Sequence, residues 1–457
     1  MNRGKSILVL CNVILCALLS ILAHYTKNDP YLLSIIFCLY YAFIVYSTFV
    51  ICDKKAGLFL LFILTFGLFI GGRFFAILLG YNDSSLWEGT FFDTRPLPLE
   101  TGMLAFYCVL IFLCFSLWGY SYGISKPFSL KNSWMGKYND IDINKILNLL
   151  FYIFLVFVIF NRALTIKQVI SEGYNSLFAK FQNQAHETPI SALFYSVFIA
   201  FCGMAISYGN PTNKKKYFAL FLLWMILTVI CGSRGGLGGV FCAMIWIRGQ
   251  NQKKNKIFKI LIVCVIALCA LLIISAFSLR KTYEFSIQDS LKILLTFMFD
   301  QGCTFIVFGE STAISYTWLH YFGSFVPGAG SIIKFFRGGD VWHHEFYFPN
   351  HLAYSLDPEI YLSGSGLGWS VLADLYLYAF KYIPLYVVLC CGWGYLFGRI
   401  EKGTQYNKFW LAFIISVSPY IFLLARGTSA VFPRLLLTFS ICFFLCKLFR
   451  TKRGFAL

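Results

Sequence analysis

Apolar runs long enough to cross a bilayer, or nearly so, recur along the whole chain. They lie at about 7–23, 31–52, 56–72, 103–122, 146–160, 190–208, 217–231, 235–247, 257–278, 382–398, 409–424 and 431–449. A hydrocarbon core of roughly 30 Å takes about 20 residues of helix, so the pattern predicts an all-α polytopic membrane protein with about twelve transmembrane helices. The polar breaks divide it into three stretches: 1–278 with nine spans and short loops, 279–381 as one large loop, and 382–457 with three spans and a tail. Within the large loop, 291–308 is apolar enough to dip into the bilayer, and 367–380 reads as an interfacial or re-entrant helix carrying Asp374. Arg3 and Lys5 precede the first run as in a signal peptide. Another span follows at once with no cleavage site opening onto a soluble domain, so the run reads as a retained helix.

Composition excludes the alternative of several soluble domains. Hydrophobic residues make up 59% of the 457, with 51 Phe and 28 Tyr, and only 13% are charged, which is more apolar surface than a globular core can hide. Lys and Arg number 38 against 20 Asp and Glu, for a net charge of +18. With the N-terminus in the cytoplasm, the inward-facing segments hold 23 of the 38 basic residues and only Asp53, Asp140, Asp142 and Glu401. That side carries +19 and the rest of the chain −1. The excess is thus topological, as the positive-inside rule requires, and nucleic-acid binding has no basic stripe in its favour. The same map puts both termini in the cytoplasm and all six histidines on the outer side. The 16 Cys fall mostly inside apolar runs and read as small buried hydrophobes rather than a disulfide framework or zinc site.

Two hairpins are too short for two crossings. From Tyr217 to Ile247 the chain has 31 residues, or about 46 Å of helix against about 60 Å for two full spans. Its tip, Cys231-Gly-Ser-Arg-Gly-Gly-Leu-Gly-Gly239, therefore carries Arg234 beneath the outer surface. The second hairpin repeats the device with Ala425-Arg426-Gly427-Thr428-Ser429 and Pro433-Arg434. Guanidinium groups at the outer ends of apolar helices call for an anion or for snorkelling to lipid phosphates. An Arg fork matches the phosphate oxygens of a lipid-linked diphosphate, whose tail stays in the bilayer.

The Gly-Ser-Arg234-Gly-Gly tip, the Gly364-Ser-Gly-Leu-Gly-Trp-Ser370 stretch followed by Ala373-Asp-Leu-Tyr376, and Leu424-Ala-Arg-Gly427 before the last span occur in an order that resembles the bacterial Wzy-type oligosaccharide repeat-unit polymerases, or O-antigen polymerases. These are similar to the O-antigen ligases. The resemblance implies a GT-C-like helical fold in the inner membrane and a periplasmic active site in the large loop. It also implies glycosyl transfer from an undecaprenyl-diphosphate-linked oligosaccharide to a sugar hydroxyl of the incoming lipid-linked unit. It further implies no cofactor, no nucleotide sugar and no metal, and a chain-length-regulating co-polymerase as partner. The sequence has no HExxH, its one DxD (Asp140-Ile-Asp142) falls in a segment that the charge map puts inside, and His343-His344 lacks a third ligand at zinc-type spacing.

Such a transfer needs charge stabilisation of the leaving group and a base near the acceptor hydroxyl. Arg234, Arg426 and Arg434 are the diphosphate candidates, and Arg280 beyond the ninth span could join them. For the base the loop offers His343, His344, Glu345, His351 and Asp374. His351, a short distance before Gly364 and Gly366, resembles the ligase histidine in placement, and His344 competes with it. Asp374 could orient a histidine, act as base, or neutralise an arginine. The aromatics of the large loop, Trp318 and Trp342 among them, suit a saccharide groove or an interfacial belt equally. An O-antigen ligase would share this fold and differ only in acceptor. A lipid-linked oligosaccharide flippase would not gather its polar residues in one outer loop.

Overall fold

The computed structural model describes residues 3–127, 144–182, 190–209, 211–231, 235–250 and 290–451, with the single positions 259, 262 and 266. Among the described residues every regular element is a helix. The first ten are α1 (Arg3–Tyr25), α2 (Pro30–Ile51), α3 (Leu58–Phe69), α4 (Gly72–Leu78), α5 (Leu99–Ser125), α6 (Asn144–Glu172), α7 (Ser176–Gln182), α8 (Ile190–Tyr208), α9 (Pro211–Ile230) and α10 (Gly235–Gln250). The large loop supplies α11 (Ser290–Gln301), α12 (Cys303–Ala313), α13 (Trp318–Phe325), α14 (Ala329–Arg337), α15 (His343–Phe346), α16 (Phe348–Leu356), α17 (Pro358–Leu362) and α18 (Val371–Tyr378). The chain ends with α19 (Ile383–Thr404), α20 (Lys408–Ile421), a 3-10 turn at Leu424–Arg426, and α21 (Val431–Thr451).

Among the described residues six helices are long and apolar enough to cross a membrane: Gly4–Tyr25, Pro30–Ile51, Leu99–Ser125, Leu147–Glu172, Lys292–Ala313 and Ile383–Thr404. α3 and α4 together would make a seventh, and Leu193–Tyr208, Gly235–Gly249, Lys408–Ile421 and Val431–Cys446 are shorter apolar helices. The run at 257–278 lies outside the described residues apart from three positions. Three segments differ from the hydropathy pattern. The helix expected to end near 160 continues to Glu172. The dip expected at 291–308 has the length of a span. The run at 56–72 is broken by a 62° bend between α3 and α4. Glycine permits that bend: a side chain at Gly71 would overlap the Gly67 carbonyl and the Phe37 ring, and one at Gly72 would overlap the Met298 carbonyl of α11. Just past it, buried Arg73 donates to the carbonyls of Leu86 and Glu88 and lies 4.4 Å over the Phe299 ring, tying down the segment after α4.

Lipid gives helices no hydrophobic reason to associate, so close backbone approach must do it. α5 and α19 achieve this with two facing GxxxG motifs, Gly119/Gly123 and Gly394/Gly398. A methyl group at Gly119 would run into the Cys391 carbonyl, and one at Gly394 into the Ser116 carbonyl. Buried polar side chains add directional links. Asn12 of α1 donates to the Cys114 carbonyl of α5 at 3.0 Å and accepts from the Tyr40 hydroxyl of α2 at 2.8 Å. Glu401, at the end of α19, accepts from Leu58 N–H at the start of α3 and from the Tyr120 hydroxyl, at 3.0 and 2.9 Å.

The segments that charge assigned to the inward side meet at one end of this bundle. Lys5 pairs with Asp53 at 2.7 Å, Arg399 donates to the Lys126 carbonyl at 3.1 Å, and Ser207 donates to the Lys408 carbonyl at 3.0 Å. Lys5, Lys55, Ser125 and Lys402 line a cavity of about 450 Å³ there.

The glycine seam predicts opposite outcomes for one substitution at two nearby positions. Gly394→Ala should lower the stability of the purified protein in detergent by about 1–3 kcal/mol through overpacking. Gly392→Ala, where a methyl group meets open space, should leave stability unchanged or raise it slightly through helix propensity. Denaturant unfolding of both variants checks the pair.

Candidate active site

At the other end of the bundle a single carboxylate joins the large loop to the last hairpin. Asp374, in the first turn of α18, is fully buried. Its Oδ1 accepts from Trp369 Nε1 at 2.6 Å, and its Oδ2 from Thr428 Oγ1 at 3.0 Å, Ser429 Oγ at 2.8 Å and the Ser429 N–H. Burial pushes the Asp374 carboxyl up to about 6, against the pull of these four donors. Neither arginine nor histidine is among those partners. Asp374 holds the Gly427–Ser429 backbone in place, and with it Arg426 on the 3-10 turn just before.

α20 explains the depth of Arg426. Its 14 residues rise about 21 Å, short of a roughly 30 Å core, so the turn that follows sits lower than a full span would end. Half-buried Arg426 donates to Gln301 at the end of α11, and its guanidinium carbon lies 5.9 Å from the Phe69 ring centre. Gly368, with φ of +84°, leaves room beside its stem, and a side chain there would touch Arg426 Nε. Arg434, one turn into α21, is exposed and lines a cavity of about 340 Å³.

That cavity lies between the large loop and the first turns of α8 and α21. Arg434, His343, Tyr347, Asn350, Ser324 and Ser196 supply its polar lining, while Leu193, Phe325 and Val326 supply apolar wall. Tyr347 links it to the carboxylate: its phenol bonds Thr428, and burial pushes it up to about 12 while Arg434 pulls it the other way. A fixed positive charge and an imidazole thus share one opening at the end of apolar helices. That pairing suits an anionic leaving group beside a proton acceptor.

His351 and His344 belong to a different cluster. His320 accepts from the Thr317 N–H at Nδ1 and donates from Nε2 to the His344 carbonyl, at 3.0 and 3.2 Å; burial pushes its imidazole down to about 4. His351 turns Nδ1 toward the same carbonyl at 3.2 Å and Nε2 toward the Ser315 carbonyl at 3.1 Å. Both nitrogens are thus turned toward carbonyl oxygens of the loop. The His344 ring stacks on Tyr354 at 3.8 Å, and burial holds it below the usual histidine range. Tyr316 and Phe348 join this knot to Trp369, and so to Asp374. Arg234 and Arg280 lie outside the described residues, although Gly235 of the first hairpin packs against Leu423 of the second.

One guanidinium escaped the sequence reading. Arg162, on the part of α6 beyond the expected end of its span, lies 4.8 Å over Tyr195, with the Cys231 side chain beside it. Its Nε finds no acceptor among the described residues, and Arg162 and Arg434 both act electrostatically on Tyr420. The run of apolar residues simply stops before Arg162, while the helix does not. His343 was one of several loop histidines, and only the fold separates it from the knot. Among the described residues no three His, Cys, Asp or Glu side chains gather as a metal's ligands.

Asp374→Asn should uncouple the hairpin from the loop. Whichever way the amide turns, its NH2 faces an N–H that cannot reorient, that of Trp369 Nε1 or that of Ser429, at a cost of about 1–3 kcal/mol. A lower melting temperature is the expected result. Protease protection of the Arg426–Arg434 segment offers a second measure.

No curated protein and no solved structure matches this chain. A family model does: that of the O-antigen polysaccharide polymerase Wzy matches residues 7–456. With nearly its whole length matched, the chain belongs to the Wzy family of O-antigen polysaccharide polymerases.

Proposed function

We propose that this protein polymerises undecaprenyl-diphosphate-linked oligosaccharide repeat units at the periplasmic face of the bacterial inner membrane. The observation that supports this most is the single cavity lined by both Arg434 and His343 in a chain of the polymerase family. A sugar hydroxyl of the incoming lipid-linked unit attacks the anomeric carbon of the growing chain. The bond from that carbon to the diphosphate oxygen breaks, and the lipid diphosphate departs with its electron pair. His343 takes the proton of the attacking hydroxyl. Arg434, supported by Arg426 and Arg162, meets the charge that builds on the leaving diphosphate, where a bidentate fork is worth more than a point charge. Arg234 and Arg280 complete the basic set on the sequence reading.

Asp374 acts as a positioning residue for the arginine hairpin, and His344 and His351 keep the loop in shape. The bilayer placement that goes with this mechanism has about twelve spans in a GT-C-like arrangement and both termini in the cytoplasm. The cavity opens outward, and a co-polymerase sets chain length from outside it. The chemistry requires neither metal nor nucleotide sugar.

Deletion in a host that makes the polysaccharide, followed by a gel of its lipopolysaccharide, tests the activity. A single repeat on the lipid core is expected. Polymer accumulating on its lipid carrier would indicate a ligase, and units trapped on the cytoplasmic leaflet a flippase. With complementing variants at normal protein levels, Arg434→Ala should slow polymerisation by about 10²–10³-fold and His343→Ala by about 10²–10⁴-fold. Arg434→Lys should recover only part of the rate. Long chains at wild-type yield from His343→Ala would remove it as the base.

A further inference from the structure

The large loop carries an apolar surface that neither the cavity nor the histidine knot uses. α14 buries Ala329, Gly330 and Ile333 against the loop. On its other side Phe335 and Phe336 are 80% and 81% exposed, and their rings meet edge to face at 5.3 Å. Lys334 and Arg337 flank them and reach away to Asp340 and Glu345, at 3.7 and 2.7 Å. Phe325, across the turn that leads into α14, is also exposed.

The height of this helix decides what it meets. Phe325 and the first residues of α14 line the same cavity as Arg434 and Thr438. Thr438 lies seven residues after the start of α21, about 10 Å along that helix. The residues just before it on α21, Leu436 and Leu437, are exposed apolar side chains of a membrane helix, as is Leu193 of α8 on the cavity's rim. α14 therefore starts level with exposed apolar side chains of α8 and α21, which the bilayer placement proposed above puts against lipid. A short helix with paired aromatics flanked by long cationic stems is built to lie in the interface, rings down and charges toward water.

We infer that α14 is an interfacial anchor whose Phe335 and Phe336 insert into the leaflet at that end of the bundle. The partner is the lipid surface itself. Anchoring holds the α13–α14 turn, one wall of the cavity, at the height where a lipid-borne diphosphate arrives. This deepens the reading of the cavity given above and rests on its bilayer placement.

Benzoylphenylalanine placed singly at 335, 336 or 340 in the full-length protein, reconstituted in phosphatidylethanolamine and phosphatidylglycerol vesicles, tests it without any polymerase assay. Irradiation should give lipid adducts by mass spectrometry at 335 and 336, at least tenfold above those at exposed Asp340. Equal adduct levels at all three positions, or none at 335 and 336, would overturn the anchor while leaving the cavity chemistry standing. A variant pair supplies a second measure. Phe335→Leu with Phe336→Leu should keep chain extension within about twofold of wild type. Phe335→Asp with Phe336→Asp should reduce it at least tenfold with an unchanged melting temperature in detergent. Full extension by the double Asp variant would also overturn the anchor.

Discussion

A carboxylate sealed from water persists only where donors surround it, and that constraint organises the half of this protein that holds the large loop. Asp374 comes from a short helix at the end of the large loop. Its donors come from Trp369 beside it and from Thr428 and Ser429 between the last two membrane helices. One buried group thus joins segments more than fifty residues apart and sets the turn that carries Arg426. Apolar packing alone could leave that turn free to slide along its neighbours. Four directed hydrogen bonds to one carboxyl cannot be kept if it does.

The two ends of the bundle use the same physics for different purposes. At the end where Lys5, Lys55 and Lys402 gather, Glu401 is buried on α19 and accepts from the Leu58 N–H at the start of α3 and from the Tyr120 hydroxyl, so it caps a helix. At the end that holds the large loop the cations include guanidinium groups with donors left over among the described residues. Arg73 donates from its Nη groups to loop carbonyls, though its Nε too finds no acceptor among the described residues. Arg434 opens onto a cavity, and Arg162 keeps a buried Nε with no acceptor among the described residues. Guanidinium groups next to an imidazole are what the proposed departure of a diphosphate calls for.

Much of the helical framework was legible because lipid imposes it: a run of apolar side chains has to be a helix, and glycine has to mark the places where backbones touch or bend. The helix around Asp374 and the arginine-bearing turn after α20 follow from the same logic. The facing Gly119/Gly123 and Gly394/Gly398 motifs were present in the sequence and marked the tightest seam. The bend at Gly71–Gly72 was hidden because hydropathy averages over it. The choice among loop histidines was not legible at all. His320, His344 and His351 pack together through carbonyls and rings of the loop, and only folding places His343 in the cavity that Arg434 also lines. Arg162 was missed because hydropathy marks where apolar residues stop rather than where a helix stops.

The central claim is that the lipid's diphosphate rests against Arg434, in the cavity that Asp374 holds in register with His343. A structure of the protein in a lipid nanodisc with undecaprenyl diphosphate bound tests it most directly. Phosphate density within hydrogen-bonding distance of the Arg434 guanidinium, with the lipid tail leaving past α8 and α21, is the predicted result. Phosphate density at the opposite end, among Lys5, Lys55 and Lys402, would contradict it.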